Sequence, residues 1–266
     1  MPGFGSIAPA QLARLIGTPD CPTLIDIQIG ADFAADPRLI PGAFRHPFDR
    51  VETLAAGLSG QRAVVICQKG QKLSEGAAAL LRCHGVLAEN LAGGALGWAA
   101  EGLPMIPAAA LPGTRLWVTR HRPKIDRIAC PWLIRRFIDP GARFLFVAPC
   151  EVLAVAEKFN ATPFDVEGVA VSHRGDHCSF DALLDDFQLH TAPLDRMALV
   201  IRGADTDRHD LAPQAAGLLA LSVGLSRQYK DDLAQLEAGL TLYDALYRWA
   251  RDGFEERHDW PAGRNS

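Results

Sequence analysis

The sequence predicts an α/β fold for the N-terminal part of the chain and a largely helical α+β fold for the remainder. Up to about residue 100, short apolar segments alternate with helical ones, which indicates a parallel sheet with helices on both faces. A proline-rich segment follows at residues 103–113, where three prolines in eleven residues block both helix and central strand. We therefore place a boundary near residue 108, between a first domain of residues 1–107 and a second of residues 108–266.

The N-terminal elements follow from apolar content and from the positions of helix and strand breakers. Residues 23–27 and 62–67 have the apolar content of buried strands, and residues 88–91 form a third strand that ends at a glycine pair. Residues 8–16 and 74–83 predict helices, and the second of these is rich in alanine.

The C-terminal part predicts more helix than strand. Two strands are expected at residues 116–119 and 144–147, and a third at residues 169–172 is expected to join them. Six helices are expected, at residues 127–138, 149–159, 179–187, 194–201, 213–225 and 231–251. In the last helix, leucine and tyrosine recur at three- and four-residue steps, so this helix packs one apolar stripe.

Composition and charge exclude several classes of protein. Of the 266 residues, 48% are hydrophobic and 22% are charged, so the chain is neither disordered nor fibrous. The net charge of −4 gives no reason to expect a nucleic-acid partner, and no apolar run is long enough to span a membrane. The first residues lack the features of a secretory signal, and the six cysteines include no CxxC pair. We therefore expect reduced thiols in a cytoplasmic protein.

A cysteine loop is the sharpest motif in the sequence. Cys67 ends an apolar strand, and the loop leads into a helix. The residues that follow the cysteine are Gln68, Lys69, Gly70, Gln71 and Lys72. The N–H groups of such a loop and of the helix N-terminus form an anion-binding cup, in which a thiolate is favoured and nucleophilic. A buried structural cysteine beside a polar turn is the alternative interpretation of the loop taken alone.

Four segments together resemble the rhodanese domain in order and spacing. They are Leu-Ile-Asp-Ile at residues 24–27, Ile-Pro-Gly-Ala at residues 40–43, the cysteine loop, and the glycine-rich segment at residues 91–98. The resemblance covers roughly residues 6–105 and implies a sulfurtransferase. Cys67 would take the outer sulfur of thiosulfate or another sulfane-sulfur donor and hold it as a persulfide. A thiol or cyanide acceptor would then remove that sulfur.

Two positions refine what this resemblance implies. Phosphatase and arsenate-reductase relatives carry an arginine six positions after the cysteine, where this chain has Leu73, so an oxyanion ester is disfavoured as substrate. The Gln-Lys-Gly sequence resembles thiosulfate-type loops, which implies that residues 68–72 bind the donor and that Lys69 attracts its sulfonate. The family often reads Asp-Val-Arg where this chain has Asp26, Ile27 and Gln28, so the arginine of a salt bridge supporting the loop is missing.

The second domain carries two polar concentrations. Residues 115–143 contain eight Lys/Arg and only two Asp/Glu. This excess of positive charge suits either a solvated surface with paired arginines or the binding of a small oxyanion. Further along, His173, Cys178 and Asp205 offer an imidazole, a thiolate and a carboxylate, a set that suits a divalent metal. Asp126 is expected either as a fourth ligand or as a group that orients a histidine. Polar loops that cap helices are the alternative explanation.

These segments resemble the C-terminal domain of ChrB-type chromate resistance proteins, from about residue 117 to residue 249. The clearest matches lie at residues 125–139, 173–181 and 202–206. In that family the domain usually follows a winged-helix-like segment and is linked to the regulation of chromate export. Here a rhodanese-like part replaces that segment, which disfavours a DNA-binding regulator.

Together the two resemblances imply a cytoplasmic sulfurtransferase linked to chromate or oxyanion resistance, with chromate itself as a further partner. No nucleic-acid or membrane partner is expected, and the rhodanese-like domain is expected to need no cofactor. The alternative is a chromate-responsive sensor or binding protein, in which the rhodanese-like domain is a redox or docking module. A third hypothesis is that the C-terminal domain is itself a metal-dependent enzyme.

Overall fold

A five-stranded parallel sheet organises the N-terminal part of the chain. The computed structural model describes residues 5–256, so the outer ends of both predicted domains, residues 1–4 and 257–266, lie outside the described residues. The first seven strands are β1 (Ser6–Ile7), β2 (Thr23–Asp26), β3 (Arg38–Leu39), β4 (Ala43–Arg45), β5 (Arg62–Ile66), β6 (Leu87–Leu91) and β7 (Ile106–Pro107). The order across the large sheet is β1-β6-β5-β2-β4, so β5 lies at its centre.

Helices cover both faces of this sheet. They are α1 (Pro9–Ala13), α2 (Gly30–Ala35), α3 (Ala55–Leu58), α4 (Lys72–Cys83) and α5 (Gly94–Ala100). Side chains alternate along a strand, so Val64 joins the cluster that contains Trp98 of α5, whereas Val65 and Cys67 join the cluster that contains Leu81 of α4. The predicted α/β class with helices on both faces is confirmed.

The N-terminal and C-terminal parts bury apolar surface against each other. One continuous cluster of buried side chains runs from Leu12 and Trp98 to Trp132 and Tyr247. Gly17 lies so close to neighbouring aromatic rings that a Cβ at this position would overlap them. β7 returns to pair antiparallel with β3, which ties the end of the first part back to residues 38–39. The domain boundary near residue 108 stays a prediction.

A second, smaller sheet organises the C-terminal part. Its strands are β8 (Leu116–Arg120), β9 (Arg143–Val147) and β10 (Thr162–Pro163), in the order β10-β8-β9 and all parallel. The expectation of a strand at residues 169–172 is wrong, because β10 takes that place. Val171 forms only a single bridge, to Phe164. Gly168, whose φ is +81°, turns the chain just before this segment.

Helices make up most of the remaining C-terminal part, as predicted. They are α6 (Asp126–Leu133), α7 (Val152–Phe159), α8 (Ser179–Phe187), α9 (Ala192–Asp205), α10 (Ala215–Gln228) and α11 (Asp232–Asp252). A π-helical turn at Ile134–Ile138 continues α6. Within residues 5–256, no helix combines the length and the apolar character that crossing a membrane requires.

Candidate functional site

Cys67 follows β5 directly, at the carboxyl end of the central strand. This is the edge at which open parallel sheets form their binding sites. The cysteine is only 5% exposed. Around it, Gln68 is half-buried, and Lys69, Gln71 and Lys72 are exposed. The residues predicted to bind the donor therefore form a polar rim beside a largely buried sulfur.

The cysteine loop is held against the start of α5. The carbonyl oxygens of Cys67 and Gln68 accept hydrogen bonds from the backbone N–H groups of Ala95 and Leu96, both at 3.0 Å. Gly70 has a φ of +67°, and a Cβ there would overlap the backbone at the end of β6. Only glycine adopts this conformation readily. The backbone around the sulfur is therefore fixed by its contacts.

A buried serine is the nearest polar neighbour of the sulfur. The Sγ atom of Cys67 lies 3.1 Å from the Oγ atom of Ser74, in the first turn of α4. Ser74 is fully buried, and its Oγ atom is also 3.1 Å from the carbonyl oxygen of Gln71. A hydroxyl that turns towards a thiolate stabilises the charged form of the sulfur. Ser74 was not among the residues predicted from the sequence, although its place in the first turn of the helix after the loop was a usable signal.

A buried carboxylate supports the neighbouring strand end. Asp26 accepts hydrogen bonds from the backbone N–H of Gln28 at 3.1 Å and from its side-chain amide at 2.8 Å. Arg45, from β4, lies with Nε 3.7 Å from Asp26 and donates to the carbonyl oxygen of Gln28. Burial raises the pKa of Asp26, while the hydrogen bonds from Gln28 and the Arg45 guanidinium oppose that rise. Arg45 thus supplies beside Asp26 the positive charge that Gln28 does not carry.

A second polar cluster lies in the C-terminal part. It joins Asp126, the first residue of α6, to Asp205, the last residue of α9, and to His173 in the loop before α8. The Nε2 atom of His173 lies 3.1 Å from Asp205, 3.7 Å from Asp126 and 3.6 Å from Asp165. Ligand atoms of Asp126, His173 and Asp205 all lie within 4.8 Å of one another. Two of the three predicted metal-binding residues, together with the expected Asp126, thus come together.

Cys178 has a different place from the one predicted for it. Within the described chain, the group of possible metal ligands does not include its thiol. Cys178 is the residue before α8, and its backbone N–H donates to Asp181 at 2.9 Å. Its side chain is fully buried, and burial raises the pKa of the thiol. Cys178 is therefore a buried thiol next to the cluster, outside its group of possible ligand atoms.

One carboxylate of the cluster is fully buried, and the other, Asp205, is half-buried. Asp126 is 1% exposed. One of its oxygens, Oδ2, accepts a hydrogen bond from the backbone of Ser179 at 2.5 Å, whereas Oδ1 has no partner within residues 5–256. Burial raises the pKa of Asp126 well above its usual range, and the Asp205 and Asp165 carboxylates add to the rise. Burial and the Asp165 carboxylate also raise the pKa of Asp205, which His173 partly offsets.

A cleft of about 710 Å³ opens beside this cluster. Its wall includes His173, Asp165 and Arg120. Of the arginines in the basic segment, Arg120 and Arg127 pair with Asp165, at 2.9 and 3.4 Å. Two others pair with carboxylates of α11. Paired arginines therefore explain much of the basic segment, and Arg120 remains at the edge of the cleft.

These features define an α/β protein with a cysteine loop on one parallel sheet and a histidine–carboxylate cluster beside a second sheet. Residues 117–250, half of the chain, match the family model described as ChrB, C-terminal domain. The chain therefore belongs to the ChrB C-terminal domain family, as the motifs of its second part predict. A curated relative, Protein ChrB from Cupriavidus metallidurans, is 37% identical over 134 residues. That alignment covers 50% of this chain and 40% of the relative, so the chain spans less than half of the relative's length.

Solved structures of rhodanese-type proteins are similar to the N-terminal part. A rhodanese-related protein from Thermoplasma volcanium is 24% identical, with a TM-score of 0.33, over 38% of this chain and 96% of its own. A thiosulfate sulfurtransferase from Pseudomonas aeruginosa is 28% identical, with a TM-score of 0.32, over 39% of this chain and 19% of its own. The similarity to the second protein thus involves one short part of a longer chain.

Proposed function

We propose that the chain is a sulfurtransferase linked to chromate or related oxyanion resistance, in which Cys67 carries sulfane sulfur as a persulfide. The observation that carries this proposal is the position of the Cys67 sulfur. It lies at the carboxyl end of the central strand, before the first turn of α4 and 3.1 Å from the Ser74 hydroxyl. A nucleophilic sulfur needs a polar neighbour, which Ser74 supplies, and the loop that follows it carries exposed polar side chains that a donor can reach first.

The proposed reaction has two steps. In the first, the Cys67 thiolate attacks the outer sulfur of thiosulfate, the sulfur–sulfur bond of the donor breaks, and sulfite leaves with the bonding electron pair. In the second, a thiolate or cyanide attacks the outer sulfur of the persulfide, and the Cys67 thiolate leaves. No external oxidant or reductant is needed, since the sulfur atom is transferred without its electron pair in both steps.

The loop side chains supply the proposed donor specificity. Lys69 and Lys72 are exposed on the rim, where a cation attracts the dianionic donor without being buried itself. Leu73, six positions after the cysteine, is half-buried and offers no guanidinium for an oxyanion ester. These features favour a small sulfur-bearing anion over a phosphate or arsenate ester.

The link to chromate rests on membership of the ChrB C-terminal domain family and on the cleft beside His173. We propose a cytoplasmic setting, where thiol acceptors are abundant and the six cysteines, all unpaired in the structure, stay reduced. The second candidate function is a chromate-responsive sensor, which the cleft lined by Arg120 and His173 favours. In that case the cysteine loop acts as a redox or docking module and does not catalyse sulfur transfer.

Intact-mass analysis after incubation with thiosulfate tests the proposal. The wild-type chain should gain one sulfur atom on the peptide that contains Cys67, and it should convert thiosulfate and cyanide into thiocyanate. Cys67→Ser should abolish both, whereas Cys83→Ser, at an exposed cysteine on the same helix-loop unit, should change neither. An adduct that persists in Cys67→Ser would refute the assignment. A chain that binds chromate but shows no turnover would favour the sensor.

A further inference from the structure

The C-terminal cluster holds a buried carboxylate oxygen with no partner. Asp126 is 1% exposed, and its Oδ1 atom makes no hydrogen bond within residues 5–256. Its other oxygen is bound by the Ser179 backbone. Ligand atoms of His173 and Asp205 lie within 4.8 Å of a ligand atom of Asp126. An unsatisfied oxygen this deep in a protein is expensive unless something binds it.

The charges around this oxygen do not balance. Asp165 is neutralised by Arg120 at 2.9 Å and by Arg127 at 3.4 Å, and it accepts a hydrogen bond from Ser179 at 2.9 Å. Asp126 and Asp205 have no such arginine: across residues 5–256, the only basic side chain within ion-pair distance of either is His173. The buried Asp126 and the half-buried Asp205 therefore share at most one positive charge. Such a pair requires either that one carboxylate is protonated or that a bound cation balances its charge.

The distances fit the edges of a metal coordination sphere. Two ligands that are each about 2.1 Å from an ion lie about 3.0 Å apart at a right angle and about 3.4 Å apart at a tetrahedral angle. The Nε2 atom of His173 is 3.1 Å from Oδ2 of Asp205 and 3.7 Å from Oδ2 of Asp126, the carboxylate whose Oδ1 has no partner within residues 5–256. An ion between these atoms thus needs only small side-chain shifts to reach all of them.

We propose that Asp126, His173 and Asp205 bind one divalent first-row transition-metal ion, such as Mn²⁺, Co²⁺ or Zn²⁺. The imidazole disfavours Mg²⁺ and Ca²⁺, which prefer all-oxygen ligand sets, and the absence of Cys178 from the described cluster disfavours a thiolate-bound ion. His173 is 42% exposed at the wall of the cleft, so water completes the coordination sphere from that side. Asp165, paired with Arg120 at 2.9 Å, holds that guanidinium beside the ion.

Metal titration of the tag-free chain tests this proposal. After removal of metals by a chelator, Mn²⁺ binding followed by electron paramagnetic resonance should give one site per chain. Co²⁺ should give a visible spectrum of nitrogen and oxygen ligands without a thiolate charge-transfer band. His173→Gln should weaken Mn²⁺ binding by more than the roughly 10–100-fold that loss of an orienting partner costs. The control, His177→Gln, changes an exposed histidine in the same loop and should leave the affinity unchanged.

Several outcomes would overturn the proposal. One is a His173→Gln chain that binds Mn²⁺ as tightly as wild type, and another is a wild-type chain that binds no Mn²⁺, Co²⁺ or Zn²⁺. A Co²⁺–thiolate band that disappears in Cys178→Ser would show a different ligand set. Asp126→Asn is a second test of the same ligands. If that variant unfolds, His173→Gln still decides the question, because its side chain is partly exposed and its loss leaves the core intact. Cys67 lies on the other sheet, so sulfur transfer and metal binding fail independently.

Discussion

Arg45 and Asp26 form an ion pair across two neighbouring strands, with Nε 3.7 Å from Oδ1. The Asp26 side chain is 2% exposed, so its charge depends on the groups around it. The Arg45 guanidinium also lies 3.9 Å above the ring of Phe33 and donates to the Gln28 carbonyl. Arg45 of β4 thus connects the end of β2 to the segment that follows β2. This connection lies next to β5, the strand that leads into the cysteine loop.

Replacing Arg45 should destabilise the fold, because Asp26 would keep its burial and lose its positive partner. We expect Arg45→Met to lower the free energy of unfolding by about 1–3 kcal/mol. Urea denaturation followed by circular dichroism measures this change. The matched control is Arg38→Met, which removes an exposed pair with Asp36 and should cost about 0.2–1 kcal/mol. Equal losses in the two variants would show that burial of Asp26 does not set the effect.

The role of Arg45 also shows where the sequence could and could not predict the structure. The missing arginine at position 28 was visible in the sequence, because it departs from a local motif. The position of Arg45 beside Asp26 was not, since only the parallel pairing of β2 with β4 brings these two side chains together. Local sequence patterns were enough to predict strands β2, β5 and β6 and the glycine loop. Contacts between side chains on different strands could not be predicted, because they depend on which strands pair in the fold.

Lys69 should act on donor binding more than on sulfur transfer. It is an exposed point charge on the loop, so it attracts thiosulfate before the reaction and contributes little once the donor is bound. Lys69→Ala should raise the KM for thiosulfate about fivefold, equivalent to about 1 kcal/mol, with a smaller change in kcat. Steady-state kinetics at low salt measure both. The control, Lys158→Ala at an exposed lysine on α7, should change neither. A collapsed kcat with an unchanged KM would contradict this role.

Gly94 should be essential to the shape of the cysteine loop. Its φ is +59°, and a Cβ there would overlap the carbonyl oxygen of Cys67. Gly94→Ala should cost about 1–2 kcal/mol for the left-handed backbone alone, and the overlap adds to that loss. It should also abolish persulfide formation by displacing the loop. In contrast, Gly76→Ala in α4 meets open space and should stabilise the chain by about 0.5–1 kcal/mol. Thermal unfolding and persulfide mass analysis separate the two variants.

The C-terminal cluster was harder to predict than the loop. His173 and Asp205 were predicted as metal ligands from their residue types, and the structure brings these two side chains together. Cys178 is also a possible metal ligand by residue type. In the structure, however, its backbone lies at the N-cap of α8 and its side chain is buried in the core. Asp165 was not predicted at all, because nothing in its local sequence marks the ion pairs it makes with Arg120 and Arg127. Residue types thus indicate which side chains could bind a metal. Which of these side chains come together depends on where the helices begin and end in the fold.

His190 should make stability depend on pH at the junction of α8 and α9. Its Nδ1 and Nε2 atoms each lie 2.9 Å from a carboxylate, those of Asp195 and Asp185 respectively. The hydrogen bond to Asp195 raises the pKa of His190 above its ordinary value of 6.5, Asp185 adds to the rise, and partial burial opposes it. A histidine whose pKa is higher in the folded state stabilises the fold fully below the pKa of the unfolded chain. That contribution is lost as pH rises through the folded pKa.

His190→Gln should therefore lower the free energy of unfolding at pH 5.5 and have much less effect at pH 8.5. Because His190 is 53% exposed, solvent screens its ion pairs, and the loss should be small and should shrink further at high salt. Urea denaturation at the two pH values measures the difference. In the matched control, His177→Gln, the effect should be the same at both pH values, since residues 5–256 offer His177 no carboxylate within ion-pair distance. A loss of stability in His190→Gln that is equal at both pH values would show that the imidazole is not protonated between its two aspartates.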